Sequence, residues 1–440
     1  MRVVVWGAGF TGLTAALLLA AEGHQVTLIG RPPEAATGVR ETGGPARDPV
    51  TGTCVLWPET MAALRAELPS VAAALTARGT PLEGGTATGT ERTGAGVVLG
   101  LPVAASVLTE AVAGMPGLTL RGDIDVTALL SDGRIPGRPH VRGVLTEDGE
   151  AVFADLVVDS TGRRSPMPRM LADLGAVRPG GGSRDSGYRC YAARLPACGP
   201  EAGRAAWQLV RGPGAWIVST APEAGERSVV LCVRDDEALY PLASTAAWHR
   251  AVLACAPPGL LPDGPPAPGD VLTTVVAAST RREYVVAGEP VALGVLGIGT
   301  ASLSCQPLLA LDASMGLAHA LVLRDVLRTA ATHDARNMAL AFDRACRATV
   351  LPVCQWAVDV EELSFPADDG PCTPAEPPTG AAPVLSGTAM ALARDLEGRM
   401  RRLRHEDAPD TTPLSSARVL AALRGPAASR EAAPATGAPA

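Results

Sequence analysis

Three glycines near the start of the chain, Gly7, Gly9 and Gly12, stand at the GxGxxG spacing that can hold a diphosphate. In that pattern the first glycine makes a tight turn and the second lets the main chain approach the anion. The third lets helix and strand pack closely, and the helix N-terminus favours negative charge. The pattern works only with a strand before it and a helix after it. Residues 2–6 (RVVVW) read as a buried parallel strand, 11–22 as an apolar helix and 25–29 (QVTLI) as a second strand, a βαβ start. At the tip of the second strand a nucleotide-binding protein usually carries an acid for the ribose, and here the residue is Gly30.

Two later segments carry further candidate chemistry. Residues 154–175 (ADLVVDSTGRRSPMPRMLADLG) form a strand ending in Asp159-Ser160-Thr161-Gly162, where a glycine lets the chain turn tightly beneath a cofactor. The same residues also fit a plain strand followed by a capped helix. Residues 288–328 read as a strand, a glycine turn, an irregular loop and a long helix. On that helix His319 fits packing better than catalysis. Tyr188 and Tyr191, with Trp207 and Trp216, can line a substrate or simply pack a sheet. The paired acids Asp235-Asp236 and Glu361-Glu362 read as solvated faces.

The elements that must position these residues follow from periodicity. Helical spacing runs over 59–78 and near 103–114, and strands alternate around an Asp148-Gly149 turn. From about 183 to 288 the chain is β-rich with one helix near 244–256, and a long helix is expected over 313–331. A Pro-rich linker follows Leu363, then a helix at about 387–404 and an Ala/Pro-rich tail expected to be disordered. The domain division this gives is 1–182 with 285–345, an inserted 183–284, a linker and helices over 346–424, and a tail over 425–440. No internal repeat is visible.

Composition excludes several functions. With 440 residues a sizeable core is possible, and the net charge of −7 leaves no basic face for nucleic acid. All 38 basic residues are arginine, which removes Schiff-base chemistry and a P-loop lysine. The nine cysteines form no CxxC pair or metal-ligand cluster and read as mostly buried thiols of a reducing cytoplasm. The start of the chain has no basic n-region, so no signal peptide is expected, nor a membrane span. A cytoplasmic location is the expectation.

In this order and at these separations, the three segments resemble the FAD-dependent oxidoreductases of the aromatic-hydroxylase (class A flavoprotein monooxygenase) fold, from residue 1 to about 330. "VVDSTGRRSPMPRMLADLG", "ASMGLAHALVLRDVL" and "SRDSGYRCYAARLP" carry the likeness. It implies an α/β fold: a Rossmann-like FAD/NAD(P)-binding domain, an inserted β-rich substrate domain and a C-terminal helical extension. It implies FAD contacts at Gly7, Gly9, Gly12, Arg40, Asp159, Gly162, Gly299 and Thr300, a substrate side at Tyr188 and Trp216, and NAD(P)H as reductant. Arg281 and Arg282 fall near the domain junction that the family uses.

The chain departs from the family pattern where the flavin is held. Gly30 replaces the ribose acid, Ala105 an arginine, Thr300 the aspartate of a Gly-Asp pair, and Ala310-Leu311-Asp312 a Gly-Arg-Gly beneath the ring. Each charge-assisted hydrogen bond contributes only ~1.5–3 kcal/mol, but four independent losses exceed ~5 kcal/mol, several thousandfold in affinity. The resemblance therefore implies either an oxidoreductase of monooxygenase type acting on a hydrophobic small molecule in bacterial secondary metabolism, or a flavin-free descendant. The descendant would be a non-redox enzyme such as an isomerase or cyclase, or a small-molecule binding protein.

Overall fold

A computed structural model describes residues 1–33, 52–82, 96–132, 137–196, 205–223, 226–256, 271–305, 307–329, 334–363, 365, 384–405 and 414–424. Five short strands form a wholly parallel sheet in the order Val295–Gly297, Leu156–Asp159, Arg2–Trp6, Gln25–Ile29, Leu118–Arg121. The central strand reads VVVW because both faces of the sheet are covered, Val3 and Val5 packing with the helices and Val4 and Trp6 with the strands Val126–Ser131 and Val141–Thr146 and the short helix Met167–Asp173, so all four are buried. The first helix, Phe10–Ala21, is packed against Leu101–Ala113 and Asp312–Thr329 and is buried on nearly every side. This explains its lack of a polar face.

A second sheet stands apart from the first. Its order is Trp207–Gly212, Ala215–Glu223, Glu226–Arg234, Gly180–Pro196, Leu272–Glu283, Leu303–Ser304, antiparallel throughout. Period-two alternation gives this sheet two dry faces. Tyr188, Cys190, Ala192, Trp216, Val218, Val230 and Cys232 join the core shared with the parallel sheet. Tyr191, Ala193, Leu195, Ile217 and Leu231 pack instead under Thr245–Cys255, whose Trp248 Nε1 donates to the Tyr191 carbonyl at 2.9 Å. Tyr191 therefore lies on the opposite face from Tyr188 and cannot share its surroundings. The boundary drawn from sequence at 182/183 falls inside a strand, and that at 345/346 inside the helix Ala335–Glu362.

The helix expected over 59–78 is two helices, Pro58–Glu67 and Pro69–Arg78. Pro69 has no N–H to continue the first, and it pushes Leu68 to φ −135°, ψ 64°, outside the helical region. At the far end, Gly387–His405 is locked to the late helix Asp312–Thr329 by buried charge. Arg324, 1% exposed, pairs with Asp325 at 2.8 Å and with Glu67. The Asp325 carboxylate accepts from the Ser386 N–H at 2.9 Å and from its hydroxyl at 2.8 Å. Buried charges are tolerated when they are paired and hydrogen-bonded in this way.

The cysteines depart from the expectation of mostly buried thiols in one place. Cys190 and Cys232 are direct cross-strand partners with Cα atoms 4.2 Å apart, and they form a disulfide. Cys54, Cys255, Cys305 and Cys354 are buried free thiols, as expected, and Cys346 is a partly buried one. Neither the Pro-rich linker nor the tail beyond Arg424 lies within the described residues, and among those residues no helix is long and apolar enough to cross a membrane. Alkylation of the denatured, unreduced chain should leave Cys190 and Cys232 unmodified, with both reacting after reduction. Because the bond spans a sequence separation of 42, replacing both by serine should destabilise the fold by up to about 4 kcal/mol in thermal or denaturant unfolding.

Candidate functional site

The three glycine-bearing segments meet at the carboxyl edge of the parallel sheet. Trp6, Asp159 and Gly297 stand side by side in register, and the chain leaves each strand there into a loop. Gly7 has φ +112°, and a methyl group on it would sit 2.6 Å from the Ser160 carbonyl carbon. A methyl on Gly12 would sit 1.8 Å from the Gly7 oxygen. Ser160 closes this contact: its N–H donates to the Trp6 carbonyl at 2.8 Å, and its hydroxyl reaches the Gly7 carbonyl at 2.8 Å. A methyl on Gly162 would lie 3.4 Å from Thr300 Oγ1, and one on Gly299 2.9 Å from the Thr11 side chain. Gly7, Gly12, Gly162, Gly299 and Thr300 thus belong to one constellation. Gly9 faces open space, with no atom within 4 Å of where its methyl would be.

Asp159 works from beneath. It is fully buried, and it accepts from the Thr161 N–H at 3.0 Å, the Thr161 hydroxyl at 2.7 Å and the Ser165 hydroxyl at 2.5 Å. Burial pushes its pKa up, against these donors and the nearby Arg282 charge. Its carboxylate pins the 160–165 loop. A second clamp comes from the long strand of the other sheet: Arg282 donates to the Ala301 carbonyl at 2.8 Å and to the Arg163 carbonyl, tying together the two loops that flank the crevice. Arg163 also pairs with Asp312 at 3.2 Å, so the carboxylate where the family has glycine has its own counter-charge. Arg282 reaches Arg163 across 119 residues and Arg163 reaches Asp312 across 149, so neither contact is readable from sequence.

These residues fit FAD at one end and not at the other. The turn at Gly7, the open approach at Gly9 and the uncapped N-terminus of Phe10–Ala21 suit a diphosphate. At the adenosine end, Gly30 has φ +127°, and a methyl on it would come within 3.3 Å of the Ala8 nitrogen. The glycine is a backbone requirement of this turn, so a carboxylate cannot be restored there without strain. Ala105 is 1% exposed and packed in the core, which leaves no room for a guanidinium. Ala310 keeps a left-handed backbone, φ 52°, where the family has glycine; an alanine holds that conformation at about 1–2 kcal/mol. Arg40 lies outside the described residues.

Tyr188 and Trp216 lie together on the face of the antiparallel sheet that meets the nucleotide-type half, and both are fully buried. Phe365 stacks on Tyr188 with centroids 4.7 Å apart and lies 5.6 Å from Trp216. Farther along the same face Trp207 meets Trp57 edge-on at 4.8 Å, and the Arg399 guanidinium from the C-terminal helix covers Trp57 at 4.4 Å. His319 packs inside the late helix, its Nδ1 3.1 Å from the Met315 carbonyl and its ring beside Phe342. Burial pushes its pKa down to about 4.

Gly9→Ala should fold normally, whereas Gly12→Ala should destabilise the protein by about 3 kcal/mol or fail to fold, because only the second forces backbone atoms apart; thermal melts of the two variants check this. The folded His319 imidazole titrates near 4 against an ordinary 6.5. Its contribution to stability is therefore complete above pH 6.5 and is lost as pH falls through 4, up to about 3 kcal/mol. His319→Leu should flatten the acid limb of a Tm-against-pH curve over that window and leave pH 8 nearly unchanged.

No protein-family model matches the chain, and no curated protein is detectably similar to it in sequence. Solved structures are similar in fold. PqsL of Pseudomonas aeruginosa, named a probable FAD-dependent monooxygenase, superposes with TM-score 0.60 at 17% identity, over 83% of this chain and 97% of its own. The anhydrotetracycline hydroxylase OxyS of Streptomyces rimosus gives 0.56 at 18%, over 83% and 70% respectively. The p-nitrophenol 4-monooxygenase PnpA of Pseudomonas putida DLL-E4 gives 0.57 at 16%, over 92% and 98%. With its parallel sheet, its glycine crevice and its antiparallel platform, the chain has the aromatic-hydroxylase flavoprotein fold.

Proposed function

We propose that the chain is an FAD-dependent oxidoreductase of monooxygenase type, with NAD(P)H as reductant and a hydrophobic small molecule of bacterial secondary metabolism as substrate, working in the cytoplasm. The observation that carries the proposal is the convergence of Gly7, Gly9, Gly12, Gly162, Gly299 and Thr300 on one crevice that is open at Gly9. FAD bound there would supply the redox chemistry for oxygen transfer. The chain's own residues hold the diphosphate on backbone N–H groups, fix the flanking loops through Asp159 and Arg282, and exclude water with the Tyr188–Trp216 face. The division of the chain into a discontinuous nucleotide domain and an inserted substrate domain belongs to the same proposal.

A flavin-free non-redox enzyme or binding protein is the second reading, and the Gly30 turn favours it, because the residue at the tip of the second strand offers no carboxylate to the sugar hydroxyls. Titration of purified protein with FAD separates the two. Weak binding is expected in the wild type. Thr300→Asp should tighten it by about 10- to 100-fold, the effect of one charge-assisted hydrogen bond, and Gly9→Ala should weaken it. Protein that purifies with stoichiometric flavin would show that the lost contacts are replaced elsewhere; indifference of both the wild type and Thr300→Asp to FAD would hand the protein to the flavin-free reading.

A further inference from the structure

The chain spreads nine cysteines and nine methionines over 440 residues, and three of these sulfurs meet beside the crevice loop. The Cys305 thiol donates to the Met315 thioether sulfur at 3.0 Å, and the Cys354 thiol is its second hydrogen-bonding neighbour. Cys305 follows the strand Leu303–Ser304, Met315 stands in the first turn of Asp312–Thr329, and Cys354 lies within Ala335–Glu362. All three are buried, at 1%, 2% and 4% exposure. Cysteine and methionine often fill a core as soft apolar groups. Filling needs no contact between sulfurs, and here three separate segments turn their sulfurs toward one another. Among the described residues no three of His, Cys, Asp and Glu come together as metal ligands, so no imidazole, carboxylate or third thiol joins the two cysteines. The donors are two thiols and one thioether, and such a set selects a soft cation.

We propose that Cys305, Cys354 and Met315 are a binding site for copper(I), held by two thiolates and one thioether. Binding breaks two S–H bonds, forms two copper–thiolate bonds and sends both protons to solvent; the thioether adds a lone pair, and no atom changes oxidation state. The loaded site carries one net negative charge. Arg163 faces it, its guanidinium 3.5 Å from the Cys305 carbonyl, and the nearby Asp312 is paired with that arginine at 3.2 Å. Zinc, which closed protein sites hold through four donors, finds one too few. The ion would tie the segment carrying Cys305 to both late helices, and so stiffen the loop that Arg282 holds at the Ala301 carbonyl. The inference goes beyond the flavin reading and does not depend on what the crevice binds.

The test supplies copper(I) to the full chain anaerobically as its bicinchoninate complex and reads the loss of that complex's colour at equilibrium. The wild type should withdraw one tightly held copper per chain, which zinc(II) in about 100-fold excess leaves in place. Cys305→Ala and Cys354→Ala should each weaken that equivalent by about 100-fold or more, since a lost ligand costs more than a lost group behind a ligand. Met315→Leu keeps the volume and removes the sulfur, and it should weaken the equivalent by about tenfold. Cys346→Ala, a partly buried thiol on the same helix as Cys354, should leave it unchanged. A wild type that withdraws no copper, a tight equivalent that survives in Cys305→Ala or Cys354→Ala, or one that zinc displaces would overturn the proposal. Copper that is lost with Cys346 instead would mark an adventitious thiol and overturn it too. Should an alanine variant fail to fold, Met315→Leu decides alone: unchanged affinity there returns the three sulfurs to ordinary core.

Discussion

Everything at the crevice depends on how closely three lengths of backbone approach one another at the edge of the parallel sheet. Gly12 leaves the Gly7 carbonyl no room for a single methyl, and Ser160 bridges to that carbonyl from the neighbouring strand. Such contact is possible only where side chains are absent. The third segment joins through Thr11, against which Gly299 and Gly316 both press. One threonine of the first helix is thus the spacer between the glycine turn and the late helix. Packing at this density tolerates little volume change. The crevice is therefore a rigid feature, whichever ligand occupies it.

The polar groups around the crevice mainly fix loops. Asp159 spends its carboxylate on Thr161 and Ser165, Arg282 spends its guanidinium on two carbonyls, and Asp312 is matched by Arg163. At the Gly7 turn, what the described residues offer an anion is main chain. Main-chain N–H groups hold charge without selecting the sugar or base attached to it, so selectivity has to come from elsewhere in the cleft.

Local pattern made part of this legible. The βαβ start, the strand before Asp159 and the late helix each declare themselves within about twenty residues through apolar periodicity and glycine spacing, and all three were placed from sequence. Pro69 signals the split at Leu68, but the Leu and Ala spacing runs straight through it and hides it. The rest joins residues that no local window contains. Phe365 reaches Tyr188 from another part of the chain, Cys190 finds Cys232 across a strand pair, and Arg282 reaches Arg163. In the sequence Gly30 looks like a lost acid, whereas its positive φ shows a turn that needs glycine. Sequence alone does not distinguish a missing side chain from a conformation that forbids one.

The Asp325–Ser386 contact joins the C-terminal extension to the nucleotide-type half through buried charge. A carboxylate buried to 2% exposure is held by Arg324 on its own helix and by a serine just ahead of the C-terminal helix. Remove the C-terminal helix with Ser386, and that carboxylate keeps its cation but loses both Ser386 donors and the helix packed over it. The nucleotide-type half and its extension are therefore not modules that can be shuffled one without the other. Cutting the chain before residue 384 therefore unsettles the late helix as well as removing the last ones.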